Sequence, residues 1–168
     1  MGRLLRILKH RRLDERDARR AIDAPALQRI EARVAASERH HSGEIRVCIE
    51  ASLPMSYLQR DATARERAVA MFGKLRVWDT EHNNGVLIYL LLAEQRIEIV
   101  ADRGLNRHVG AAAWQDIADA MGAAFQRGQF EAGLNHAIDA VDALLVRLFA
   151  IDDAQLNPNE LPDRPLVL

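Results

Sequence analysis

Hydrophobic residues recur at helical spacing in four stretches of the chain. The first runs from Pro25 through Leu27, Ile30 and Val34 and reads as a helix that opens on a first-turn proline and stops near Gly43. A second covers Gln59 to Leu75, with Ala68, Met71, Phe72 and Leu75 on one face. A third aligns Trp114, Ile117, Met121 and Phe125, and a fourth aligns Leu134, Ile138, Val141, Leu145 and Leu148. Between the first two lies "GEIRVCIE", where Ile45, Val47 and Ile49 alternate with Arg46, Cys48 and Glu50 as in a partly exposed strand. The run "VLIYLLL", residues 86–92, is apolar on both faces, the pattern of a strand covered by helices on either side. "RIEIVA", residues 96–101, alternates again after a turn at Ala93 to Gln95 and predicts an antiparallel hairpin.

The predicted order is helix, strand, helix, strand, strand, helix, helix. A helix between the first two strands implies a right-handed crossover with those strands parallel. The fold class that follows is α/β: a three-layer α/β/α sandwich in which helices cover both faces of a small mixed sheet. In that arrangement the start of the first strand, the start of the second and the end of the third lie at one edge. Three polar loops then converge: "HHSGE" at 40–44, "WDTEHNN" at 78–84 and "DRGLN" at 102–106.

The loops supply Glu44, Asp79, Asn84 and Asp102, the carboxylate and amide oxygens that hard cations such as Ca²⁺ or Mg²⁺ take as ligands. They match no dedicated cation-binding motif, and the competing reading makes Asn84-Gly85 and Arg103-Gly104 turns in which Asp79 and Asp102 accept backbone N–H bonds. His82, Arg103 and Arg107 are candidate anion contacts, with ordinary surface charge as the alternative. Zinc would need His82 beside His40 and His41, a pair that reads more simply as the end of the first helix. No serine occupies a nucleophile elbow and no glycine-rich phosphate loop is present, so no catalytic residue and no organic cofactor is expected. Trp78 and Trp114 flank the polar edge and are expected as core anchors.

Composition narrows the class. The 168 residues suit one domain, about half of them are hydrophobic (49%), and 28% are charged. A net charge of −1 gives no electrostatic case for nucleic acid. One cysteine, Cys48, excludes an internal disulfide framework and fits a reducing, cytoplasmic setting; mid-strand, it is expected to be a buried, inert thiol. Charge is unevenly spread: residues 1–20 carry eight Lys or Arg against three Asp or Glu, a local +5, which leaves −6 for the rest. Leu4, Leu5, Ile7 and Leu8 make this segment either a basic amphipathic helix for an anionic inner membrane face or a helix packed on the domain. The expected organisation is therefore a basic segment at 1–20, the α/β domain at 21–150, and a proline-containing, loosely tethered tail at 151–168.

The succession "GEIRVCIE", then "NNGVLIYLLLAEQRIEIVADRGLN", then a helix and "FQRGQFEAGLNHAIDAV" resembles the TPM domain family over about residues 27–148. The wording from "RERAVAMFGKLRVWDTEHNNG" onward is similar to a short proteobacterial branch of it. The resemblance implies a small α/β/α sandwich and, from activities attributed to some members, Ca²⁺ binding and weak acid phosphatase activity. Asn84 and Gly85 match the family's Asn-Gly before the central strand, and Gly104 its glycine after the third. Two acidic positions are departures: one is Asn106, the other falls in "VGAAAW", which has no carboxylate. The functional expectation is a non-catalytic accessory or interaction domain with a protein partner, peripheral to the inner membrane face through residues 1–20. The alternative is a divalent-metal phosphatase, with Glu44, Asp79 and Asp102 on the cation and His82 and Arg103 on the phosphate.

Overall fold

A computed structural model describes residues 2–152 and 157–168. The chain begins with three helices, α1 (Arg3–Arg11), α2 (Glu15–Ala21) and α3 (Ala24–Ser37), followed by strand β1 (Ile45–Glu50). Helices α4 (Met55–Gln59) and α5 (Ala64–Lys74) lead to β2 (Val86–Leu91) and β3 (Arg96–Ala101). The short α6 (Arg103–Asn106), the long α7 (Ala111–Gln126) and α8 (Phe130–Phe149), and a two-residue strand β4 (Leu166–Val167) complete it.

Local sequence explains several boundaries. Asp14 and Asp17 form a reciprocal capping box at α2, Asp23 caps α3 with Pro25 in its first turn, and Thr63 with Glu66 boxes the start of α5. The β2–β3 turn, whose type the sequence leaves open, is a single 3₁₀ turn, Leu92–Glu94, closed by Gln95 in the left-handed region at φ 51°.

The sheet runs β3-β2-β1-β4, with β1 parallel to β2 and β2 antiparallel to β3. Ile45, Val47 and Ile49 of β1 share a face with Val86, Ile88 and Leu90 of β2 and with Ile97 and Ile99 of β3, under α3, α7 and α8. Cys48, Leu87, Tyr89, Leu91 and Val100 face the other way, onto α4, α5 and Ile7 of α1. Helices thus cover both faces of a mixed sheet, and the three-layer α/β/α architecture holds.

Three expectations need correction. The first strand is not partly exposed: all six residues of β1 are buried. Its polar members stay inside because each is partnered. Arg46 donates to backbone carbonyls of Pro162 and Arg164, and Glu50 receives a bidentate bond from Arg67 of α5 (2.9 and 2.6 Å) and a 2.6 Å bond from the Tyr89 hydroxyl. The end of the chain is not loosely tethered: β4 lies parallel to β1, pairing Cys48 with Leu166 and Ile49 with Val167, and Leu161 is buried. Residues 153–156 of the expected tail fall outside the described residues. Finally, the division expected at residue 20 falls inside α2, which packs against β1 and β4.

Candidate functional site

Register brings the three loops to one edge. Ile45 pairs with Val86 and Val86 with Ala101, so β1 and β2 start where β3 ends. The ladder continues one step into the loops, where the Asp102 N–H donates to the Gly85 carbonyl (2.9 Å) and the Val86 N–H to that of Glu44 (2.8 Å). Gly85 is required by space: a Cβ there would lie 2.0 Å from the Val77 carbonyl oxygen. Gly104 is held as closely, 2.4 Å from the Asn83 carbonyl oxygen by the same measure.

The expected cation ligands separate into two groups. Asn84 is fully buried; its Nδ2 donates to the Ser42 carbonyl and hydroxyl (3.0 and 3.2 Å), and its Oδ1 is buried without a partner. Asp102 accepts the Arg103 N–H on Oδ1 (2.6 Å), while its Oδ2 is likewise buried and unpartnered. Asp102 lies across the ladder from Gly85, and Asn84 is the residue before Gly85. Glu44 and Asp79 are engaged elsewhere. Both carboxylate oxygens of Glu44 accept backbone N–H groups of the C-terminal segment, from Glu160 (3.2 Å) and Leu161 (3.0 Å). Asp79 is exposed and ion-paired with Arg76. Among the described residues no group of three or more His, Cys, Asp or Glu side chains is placed to hold a metal, which covers both the four-residue cation set and the zinc set.

Of the anion candidates, Arg103 is drawn to the site, its Nε donating to Asn83 Oδ1 (2.9 Å). Asn83 itself takes φ 53°, a left-handed conformation that asparagine tolerates better than most residues. His82 is exposed on the same loop and lines a cavity of about 400 Å³ with Ser42, Glu81, Phe149, Asn157 and Glu160. Arg107 is exposed one residue past α6. Trp114 is buried as expected, but Trp78 is half exposed.

Two further groups have structural explanations. Asn106, where an acidic residue was anticipated, donates from Nδ2 to the Ala101 carbonyl (2.7 Å) and accepts the Trp114 indole N–H on Oδ1 (3.1 Å). An amide does both; a carboxylate could not donate to the carbonyl. His41 is buried in a chain that includes Ser37 and Asp142 but is no nucleophilic relay. Gly43 donates its N–H to His41 Nδ1 (3.2 Å), so the ring proton sits on Nε2 and points at Ser37 Oγ, which in turn donates to Asp142. Burial holds the His41 pKa below its ordinary value, which keeps the ring neutral. Burial likewise pushes the Cys48 thiol up to about 12, and it is inert.

The sequence reading missed Glu38. Its carboxylate accepts the Ile45 N–H (2.8 Å) at the start of β1, and burial together with the neighbouring Glu44 pushes its pKa up to about 9. Glu44 is raised to about 7 by burial, against the lowering effect of its two backbone donors. Only the packed C-terminal segment and the early stop of α3 place these two carboxyls together.

Fold and edge define a small three-layer α/β domain whose polar loops gather at the start of its parallel strand pair. The TPM domain family model matches residues 16–144, and the chain belongs to that family. Among solved structures it is similar to the BA42 protein of the psychrophilic bacterium Bizionia argentinensis, determined by NMR. Identity is 27% over 86% of this chain and 94% of that one, with a TM-score of 0.74. The N-terminal domain of a P. gingivalis protein, also solved by NMR, shares the fold at 21% identity and a TM-score of 0.61, over 77% of this chain and 83% of that one. No curated protein matches the chain in sequence.

Proposed function

We propose that the chain is a non-catalytic accessory TPM domain that rests on the anionic inner face of a membrane through α1 and offers its three-loop edge to a protein partner. The observation that carries the reading is how α1 divides its side chains. Arg6, Ile7 and His10 turn toward the domain: Arg6 bonds Glu94 (2.7 Å), Asp61 (2.8 Å) and the Ala62 carbonyl (2.7 Å), and His10 accepts the Leu53 N–H on Nδ1 (3.0 Å) while Nε2 faces Glu94 (3.1 Å). Leu4, Leu5 and Leu8 are left on the solvent side at 73%, 63% and 48% exposure, amid exposed Arg3, Lys9, Arg11 and Arg12. Leucines framed by cations suit the boundary of an anionic bilayer, where each Lys or Arg near the surface contributes about 1 kcal/mol. No helix among the described residues is long and apolar enough to cross a membrane, so the contact would be peripheral.

Flotation with vesicles tests this. The chain should float with phosphatidylserine-containing vesicles, less so at high salt, and Leu4→Glu with Leu8→Glu should abolish flotation. Exchange is preferable to deletion, because removing the helix would also strip Arg6 and His10 from their partners. Equal flotation of both proteins would remove the membrane part of the reading.

A second reading has its own observation. The unpartnered Asn84 Oδ1 and Asp102 Oδ2 are oxygens of the kind a hard cation takes, six to eight of them in the case of Ca²⁺. In the phosphatase alternative Arg103, which donates to Asn83 beside Asn84, and the exposed His82 would contact the phosphate. Because Glu44 is occupied by the C-terminal segment, binding should be weak. Millimolar Ca²⁺ should raise the melting temperature in a saturable way that Asp102→Asn abolishes, since saturation to about 100 times Kd adds roughly 2.7 kcal/mol. A melting temperature indifferent to Ca²⁺ and Mg²⁺ would exclude the cation and with it the phosphatase.

A further inference from the structure

Arg46 is the second residue of β1 and is only 8% exposed, yet it makes no ion pair among the described residues. A buried guanidinium is costly unless paired, and the bonds it does make, both from Nη1 to the carbonyls of Pro162 and Arg164, bring no opposite charge. Burial accordingly pulls its pKa below the ordinary arginine value, with only a partial contrary effect from nearby Cys48 and Asp163. None of its guanidinium nitrogens is among the sealed, unpartnered atoms of the protein, so the donors that Nη1 does not use remain reachable by solvent.

They are reachable because of how the sheet ends. β4 pairs with β1 only at Cys48 and Ile49, so beside Arg46 the outer edge of β1 has no strand partner. The gap is a cavity of about 320 Å³ between β1, the preceding residues of β4, and the α2–α3 corner. Arg46, Arg19 and Arg164 line it, with Leu27, Pro165 and Leu166, and no acidic residue does. Arg19 bonds Glu15 on the surface, a solvent-exposed pair that a stronger anion can displace at little cost. Proline has no N–H, so Pro162 and Pro165 offer no amide donor, and the guanidinium groups are the charged donors lining the cavity.

We propose that this cavity is a binding site for a small organic oxyanion, whose carboxylate or phosphate headgroup lies between Arg46 and Arg164 and whose short apolar body rests on Leu27, Pro165 and Leu166. The site is on the far side of β1 from β3 and shares no side chain with the three-loop edge, so it stands or falls apart from the reading above. Guanidinium and oxyanion form paired, charge-assisted bonds, and the apolar wall distinguishes an organic anion from a free inorganic one.

Titration of the full chain with butyrate, with ethyl phosphate, with inorganic phosphate and with uncharged butyramide, followed by amide NMR shifts, tests the assignment. Butyrate or ethyl phosphate should give saturable shifts centred on Arg46, Arg164, Leu166 and Val167, and whichever binds more tightly fixes the headgroup. Inorganic phosphate should bind more weakly and butyramide not at all. Arg19→Ala with Arg164→Ala, both exposed and neither side chain holding the C-terminal segment, should weaken binding about tenfold or more with the unliganded melting temperature unchanged. Arg46→Met should abolish binding; if it also unfolds the chain, the double variant alone decides. Shifts that do not saturate, that butyramide reproduces, or that the double variant leaves intact would overturn the proposal.

Discussion

Arg67→Ala is expected to lower the unfolding free energy by about 3–5 kcal/mol, because it strands the Glu50 carboxylate in the layer between β1 and α5. Both side chains are almost fully buried, at 8% and 5% exposure, and their contact is bidentate. The bond to Glu50 holds the Arg67 guanidinium above its ordinary pKa, and its carbon also lies 5.0 Å from the centre of the Tyr57 ring. The Tyr89 hydroxyl donates to the same carboxylate; burial, then the charge of Glu50, raises its own pKa. Removing one member leaves the others unmatched, whereas removing all the polar groups does not. Arg67→Met, Glu50→Leu and Tyr89→Phe together should therefore recover most of the loss. Urea unfolding of the single and triple variants checks both halves, and an Arg67→Ala protein as stable as the parent would show that the carboxylate reaches water.

The second large effect is alkaline. Glu38 and Glu44 are buried with pKa values pushed up to about 9 and about 7, while in the unfolded chain both ionise near 4.5. Between those values the folded state holds protons that the unfolded state has released, so stability is complete below about pH 4.5 and is lost as pH rises, by about 1.4 kcal/mol per unit for each group. Buried His10 and His41 act in the opposite sense: their pKa values are lowered from 6.5, so their contribution is lost as pH falls below 6.5. Above 6.5 they are neutral in both states and drop out. From pH 6.5 to 9 the loss is dominated by Glu38 and should be on the order of 3 kcal/mol, with Cys48 adding to it only toward pH 9, where its unfolded thiol begins to ionise. Melting temperature should fall steadily across that window, and Glu38→Gln should flatten most of the decline. A profile that is flat in the parent, or equally steep in the variant, would mean that Glu38 is ionised in the fold.

Both effects arise where the sequence alone misleads. Arg46, Cys48 and Glu50 alternate with apolar residues, the usual signature of a solvent face, and the alternation does mark the two faces of β1. What it cannot mark is that both faces are covered. The cover comes from Arg67, seventeen residues on, and from Pro162 and Arg164, more than a hundred residues away. The same distance hides the fate of Glu44. It was correctly placed at the loop edge, but its oxygens are taken by Glu160 and Leu161, in a segment whose prolines read as a free tail. Two residues of strand carry no periodicity, so β4 could not be read in advance.

The sequence by itself determined the layers. The 3.6-residue stripes of α3, α5, α7 and α8, the doubly apolar β2, and the helix between β1 and β2 suffice for a mixed sheet in a three-layer sandwich with its polar loops at one edge, because periodicity and crossover handedness are local properties of the chain. Only the tertiary structure decided which polar groups there are free. Asn84 Oδ1 and Asp102 Oδ2 are left unpartnered, Glu44 and Asp79 are engaged, and α1 keeps Ile7 while presenting Leu4, Leu5 and Leu8 outward. Whether a carboxylate is a ligand or a clasp depends on which distant N–H reaches it first, and that partner is chosen by packing, which one-dimensional spacing does not record.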